Sequence, residues 1–242
     1  MTGSTPPIAS VSVLLERATR LLRVTLLKCL PFAMIATLCL NAPNYYWRAS
    51  GHTLEHGLPQ DPRYWLLVLI ADAVSLYIFS AMMLRQLTFS GGGAVEAIGE
   101  LIAAARRLPV VLLAWLLLQL SLFAGVLLLL LPAIFLLVCY VVWLPVALFE
   151  RRNPYAVLVR CVQLVRPHWW KFAATAVIAL LAVMVCILVV GALLNIVAEL
   201  FAGQGPAFEA IVDAGMVAIG GMFVVFLSAL SLTLHSAASS SA

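Results

Sequence analysis

The most catalytic-looking string in the chain is HTLEH at positions 52–56. Histidines at i and i+4 on one helical face can share a zinc ion, and a glutamate beside them can activate the bound water, which is the logic of H-x-x-E-H peptidases. Here Ser50 and Gly51 precede the string and Gly57, Leu58 and Pro59 follow it, and Asp61 is the one further ligand nearby. So short a helix between breakers would hold a metal poorly. His52, Glu55 and His56 therefore read first as part of a polar external loop, and no cofactor is expected. Neither a serine-nucleophile elbow nor a metal-spaced cysteine pair occurs. Gly91, Gly92 and Gly93 are not followed by a Lys-Ser or Lys-Thr pair, so they read as a flexible joint rather than a phosphate loop.

A different chemistry is open to carboxylates inside apolar stretches, because an ionised group at membrane depth is costly unless it is wet, paired or protonated. Asp72 lies eight residues into one such stretch and Asp213 six into another, which at the helical rise puts both roughly 9–12 Å below the same surface. Gln119 and Asn195 add polar groups within neighbouring stretches. One reading is an outward-opening vestibule that takes a proton, a cation or a small solute. The other is hydrogen bonding between helices, with Asp213 simply near a helix start.

Basic residues form a third group. Arg106, Arg107, Arg151, Arg152, Arg160, Arg166 and Lys171 can serve topology alone or bind anionic headgroups. Arg106, Arg107, Arg160 and Arg166 are the lipid candidates, the last two because one surface helix would present them together. Nucleic acid is not an expected partner, since no aromatic and basic platform lies outside the apolar stretches.

The elements that carry these groups follow from composition. With 64% hydrophobic and 10% charged residues the chain is far too apolar for a soluble domain. Hydropathy predicts an all-α, polytopic membrane helix bundle forming a single domain over 1–242, with spans near 23–42, 64–84, 109–131, 132–149, 172–198 and 207–234. The apolar run 108–149 would measure roughly 60 Å as one helix, twice the hydrocarbon core, so it must fold back, and Pro132 marks the turn. Twelve of the fourteen Lys and Arg residues fall in alternate loops with the termini, and only Arg48 and Arg63 fall on the other side. Positive charge is retained in the cytoplasm, so both termini are predicted there. Tyr45, Tyr46, Trp47, Tyr64, Trp65, Trp169 and Trp170 sit at the predicted span ends, where amphipathic rings favour the headgroup zone.

Short amphipathic helices near 12–22, 94–107 and 154–166 are predicted to lie on the cytoplasmic membrane surface, each before an odd-numbered span. In the second, Ile98, Leu101, Ile102 and Ala105 form the apolar face and Glu96, Glu100 and Arg107 the opposite one. In the third, Asn153 caps, Pro154 opens the helix, and Tyr155, Leu158, Val162 and Val165 form the apolar face, opposite Arg160, Gln163 and Arg166. Three units of helix plus hairpin result, which a repeat of 60–80 residues would explain as well as chance. The five cysteines are expected as reduced thiols, the first hydrophobic stretch is expected to stay attached rather than serve as a cleaved signal, and the tail 236–242 is expected to be disordered.

The stretch RQLTFSGGGAVEAIGELIAAARRLP, the leucine-rich hairpin after it, and WLPVALFERRNPYAVLVRCVQLVRPHWWKF together resemble the YciC-like bacterial inner-membrane proteins. More distantly they resemble the membrane domain attached to some glycerophosphodiester phosphodiesterases. The resemblance covers the middle hundred residues and is one of layout: a proline-bearing apolar segment, a charged turn with an acidic residue (Glu150), a surface helix, then an aromatic and basic entry into the next span. It implies a bacterial inner membrane and supplies no catalytic residues, and the phosphodiesterase activity is not expected to carry over. The expected function is thus a non-enzymatic inner-membrane protein that organises lipids or a membrane-protein partner, including a second copy of itself. A small transporter or channel using Asp72 and Asp213 is the second reading, and a zinc peptidase through HTLEH the third.

Overall fold

The computed structural model describes residues 9–50, 61–91, 97–128, 131–150, 153–200 and 206–240, with side chains for all of these except 48–49, 97, 131, 194–195, 197–200 and 206–213. Eight α-helices are described: α1 (Val11–Ala49), α2 (Pro62–Ser90), α3 (Ala97–Leu127), α4 (Leu131–Cys139), α5 (Trp143–Phe149), α6 (Pro154–Val165), α7 (Trp169–Leu200) and α8 (Pro206–Ser239). Single 3-10 turns, Tyr140–Val142 and Arg166–His168, join α4 to α5 and α6 to α7. No strand occurs among the described residues. Six stretches are long and apolar enough to cross a bilayer: α1, α2, α3, the α4–α5 pair, α6 continued by α7, and α8. The protein is a multi-pass, all-α membrane bundle.

Local chemistry explains the helix starts. Asp61 caps α2, its carboxylate accepting the Arg63 amide at 2.9 Å, and Pro62 fills the first position, where no donor is needed. Asn153 and Pro154 open α6 in the same way, although the Asn153 side chain makes no capping bond. The fold-back expected at Pro132 is present, with α3 ending at Leu127 and α4 starting at Leu131. Pro132 stands in the first turn of α4, and Gly125 lets the two helices touch at the backbone, since a Cβ there would come within 3.1 Å of Ala133.

The surface helices differ from expectation. Segments 12–22 and, of 94–107, the described residues 97–107 are continuous with the spans that follow, so α1 is a single helix of 39 residues, roughly 58 Å long. Pro109 does not interrupt α3; it and Ala105, the residue whose carbonyl loses its i+4 donor, both lie on the exposed side of the helix. The apolar face meets lipid, as for a surface helix, but the polar face meets the bundle rather than water. Ile98 and Ile102 point outward, 68% and 49% exposed, while Glu100 is buried. In a membrane the apolar face belongs to lipid and the ionisable one to the bundle.

The third segment, α6, is a separate helix, but it runs back along α5 and α4 instead of lying apart from the bundle. Trp169, just beyond it, stacks on Phe135 of α4 and donates its indole N–H to the Phe135 carbonyl at 3.3 Å. Its inner face is Val157, Leu158, Cys161, Leu164 and Val165, while Tyr155 is 74% exposed. The expected stripe is therefore rotated, because the helix packs on two sides, against α3 as well as the α4–α5 pair.

Packing is uneven along the bundle axis. Leu14 and Ala18 of α1 share one core with Val111, Val146, Val157, Phe172, Leu230, Leu234 and Ala237, so both termini belong to the same, densely packed end. Toward the opposite end, α7 has no buried residue between Leu180 and Leu193, and α2 has none between Pro62 and Ile70. α1 holds the two halves together, packing along α2 on one side and α8 on the other. Its close contact with α8 depends on Gly221, where a Cβ would stand 3.2 Å from the Met34 amide nitrogen.

Candidate functional site

Inside the packed end, charges are paired in ways that remove them from lipid. Arg85 of α2 reaches Glu100 of α3 at 3.3 Å, with Glu100 nearly fully buried. The Arg85 guanidinium also lies over the rings of Phe32 and Phe89, and the Lys28 ammonium stands 3.9 Å from the Phe89 ring centroid. Aromatic faces are a suitable partner for a cation with little water around it. Next to the α5–α6 turn, Glu150 meets, among the described residues, Arg160 Nε at 3.0 Å and His235 Nε2 at 3.3 Å. A third polar contact is uncharged: Ser228 donates to the Gln86 side-chain carbonyl at 2.7 Å, and the Gln86 amide donates to the Val225 carbonyl at 3.0 Å.

Proline creates one further polar contact. Pro145 has no amide hydrogen, so the Val141 carbonyl, four residues earlier, has no i+4 donor. Ser231 of α8 donates to that carbonyl at 2.6 Å. Beside this contact, between α2, α8 and the start of α5, is a cavity of about 280 Å³, lined by Leu76, Phe79, Met83, Trp143, Leu227 and the two serines 228 and 231, among others. Ser228, Ser231 and His235 follow i, i+3, i+7 spacing, so a single face of α8 carries polar groups from the cavity down to Glu150.

Asp72 lies above this cavity. It is one helical turn, about 6 Å, before Leu76, and Asp72, Leu76, Phe79 and Met83 share a face of α2. Asp72 is half-buried, and no hydrogen bond or ion pair joins it to another described residue. Gln119, expected as a polar group near the middle of its span, is exposed on α3 and does not line this space. The side chains of Asn195 and Asp213 lie outside the described residues, as do His52, Glu55 and His56. Among the described residues no three His, Cys, Asp or Glu side chains come together as metal ligands.

The lipid candidates also separate. Arg106 and Arg166 are exposed, and Arg107 is half-buried. Arg160 is turned inward to Glu150, its side chain 25% exposed. Sequence reasoning missed Arg85, Glu100, Gln86, Ser228, Ser231 and His235. The available signal was a polar side chain flanked by apolar ones within a span, and for α8 the recurrence of such residues at helical spacing.

A second, wholly apolar groove of about 380 Å³ runs between α1, α7 and α8, from Leu22 past Cys186 and Val190 to Ile219 and Phe226. Arg17, Arg20 and Arg23 of α1, at the level of Leu22 but on other faces of the helix, are exposed. Compared with protein-family models, with curated proteins and with solved structures, the chain matches none of them.

Proposed function

We propose that this chain is a non-enzymatic protein of a bacterial inner membrane, with both termini in the cytoplasm, and that it holds anionic phospholipid against its basic end. One observation carries the reading: α1 exposes Arg17, Arg20 and Arg23 at the level where Leu22 enters the apolar groove between α1, α7 and α8, so basic surface and apolar groove meet at the same end of the bundle. Arg106 and Arg166, on α3 and after α6, extend the positive surface around the packed end. Arg160 is left out of this surface, because Glu150 occupies it. The orientation rests on the excess of Lys and Arg at the end that carries the termini.

The test is lipid analysis of the protein extracted from bacterial membranes under mild conditions. Phosphatidylglycerol and cardiolipin are expected to be retained above their share of the membrane, and the combined change of Arg17, Arg20 and Arg23 to Gln is expected to bring them down to that share. Retained lipid that simply mirrors the bulk membrane in the unaltered protein overturns the proposal.

A further inference from the structure

We infer that Asp72 is a proton-binding site within the membrane: its carboxyl is held as the neutral acid, and in that form it is a site of modification by a lipophilic carbodiimide. The site goes beyond the lipid reading and uses none of its residues, so either can fail without the other.

Depth comes first. Trp47, Tyr64 and Trp65 meet edge to edge at the start of α2, and such rings favour the headgroup zone. Asp72 is seven residues beyond Trp65, roughly 10 Å further along the helix toward the bilayer centre. Leu69, one turn earlier, is 57% exposed, so lipid reaches this side of α2.

The surroundings offer an ionised carboxylate little. No described residue bonds or pairs with Asp72. Arg63 stands nine residues back on the opposite face of α2, and Arg85, thirteen residues on, is engaged by Glu100. On the elements packed against α2, no ionisable residue occurs in α3 from Leu108 to Leu127, in α5, or in α8 from Ala214 to Thr233, and α1 from Cys29 to Asn44 carries only the thiols of Cys29 and Cys39. The side chains of Arg48 and Asp213 lie outside the described residues. The phenols of Tyr64 and Tyr77 on α2 donate elsewhere, to Asn44 Oδ1 at 3.4 Å and the Leu101 carbonyl at 3.2 Å. Thr37, Asn41 and Ser75, the polar side chains of α1 and α2 over this stretch, all donate to backbone carbonyls of α1. A charge at this depth without a counterion or a set of donors is costly, and taking up a proton removes the charge.

The modification reads that proton. The acid adds across one C=N bond of the carbodiimide: the carboxyl oxygen bonds to the central carbon and the proton passes to nitrogen. Transfer of the acyl group from that oxygen to nitrogen breaks the acyl C–O bond and leaves a stable N-acylurea, with the whole reagent retained and nothing else consumed. Scarce water favours this transfer over hydrolysis.

The experiment is labelling of the full chain, in nanodiscs of neutral phosphatidylcholine at neutral pH, with dicyclohexylcarbodiimide and separately with a water-soluble cationic carbodiimide. Adducts are located by peptide mass spectrometry in monodisperse, folded protein. Glu16, whose side chain is 72% exposed, is the internal reference for a carboxylate in water. Dicyclohexylcarbodiimide is expected to label Asp72 tenfold or more faster than Glu16, and the water-soluble reagent to reverse that order. Asp72→Glu, which keeps the acid, is expected to label, and Asp72→Asn to lose the adduct. The absence of an adduct at Asp72 in the unaltered protein overturns the inference, as does labelling no faster than at Glu16 or a preference of Asp72 for the water-soluble reagent.

Discussion

The Ser231 hydroxyl donates to a carbonyl that lacks an i+4 amide donor because residue 145 is proline, and this makes its contribution separable from the surrounding packing. Ser231→Ala leaves the Val141 carbonyl without a donor in a water-poor setting, which costs about 1–3 kcal/mol. In a Pro145→Ala background the residue 145 amide can return to that carbonyl, so the same Ser231→Ala change is expected to cost much less. Unfolding free energies of the four proteins, measured in bicelles, form a double-mutant cycle, and equal costs in both backgrounds would remove the proposed link. The Arg85–Glu100 pair makes a sharper case. Glu100→Ala strands a guanidinium whose side chain is only 17% exposed, and breaking a buried pair in this way costs about 3–5 kcal/mol. Replacing both partners, as Arg85→Met with Glu100→Leu, is expected to recover most of that loss, because neither charge then needs compensation. Thermal unfolding of the single and double variants distinguishes a stabilising pair from one that is merely tolerated.

Among the helices, the α1–α8 contact is the one most exposed to a single substitution. The backbone of α1 at Met34 lies where a Gly221 side chain would be, so Gly221→Val forces the two helices apart and is expected to destabilise the bundle by about 1–3 kcal/mol. Gly215, on the same helix, has open space around its Cβ position, so Gly215→Ala is expected to leave stability unchanged or raise it by up to about 1 kcal/mol. Comparing the two by steric-trap unfolding separates close approach from a general aversion to losing glycine. The spans themselves were readable in the sequence, because eighteen or more apolar residues have one low-energy solvent, and α2, α7 and α8 lie where hydropathy puts them. The orientation of the faces was not readable in the same way. Amphipathicity reports two different sides of a helix but not what each side meets: Ile98 and Ile102 face lipid as a surface helix would have them, whereas Glu100 meets the bundle and not water. Tyr155 was misplaced for a related reason: α6 has neighbours on two sides, and a single stripe cannot describe both.

For the molecule as a whole, the candidate site was half legible. An aspartate within a span is conspicuous in any hydropathy reading, but the cavity beneath Asp72 is formed by residues from three distant segments, around 76–83, 141–144 and 224–231, whose meeting no local pattern encodes. The distribution of charge, by contrast, is a property of the entire chain and is distributed redundantly. Twelve of fourteen basic residues accompany the termini, so no one pair of them sets the orientation. A reporter fused after Ala242 is expected to behave as cytoplasmic, and one inserted between residues 51 and 60 as periplasmic. Changing Arg106 and Arg107 to Gln is expected to leave both results as they are, since ten basic residues remain on that side against two. A periplasmic signal from the fusion after Ala242 in the unaltered protein would reverse the assignment of the ends, and the basic surface would then face outward.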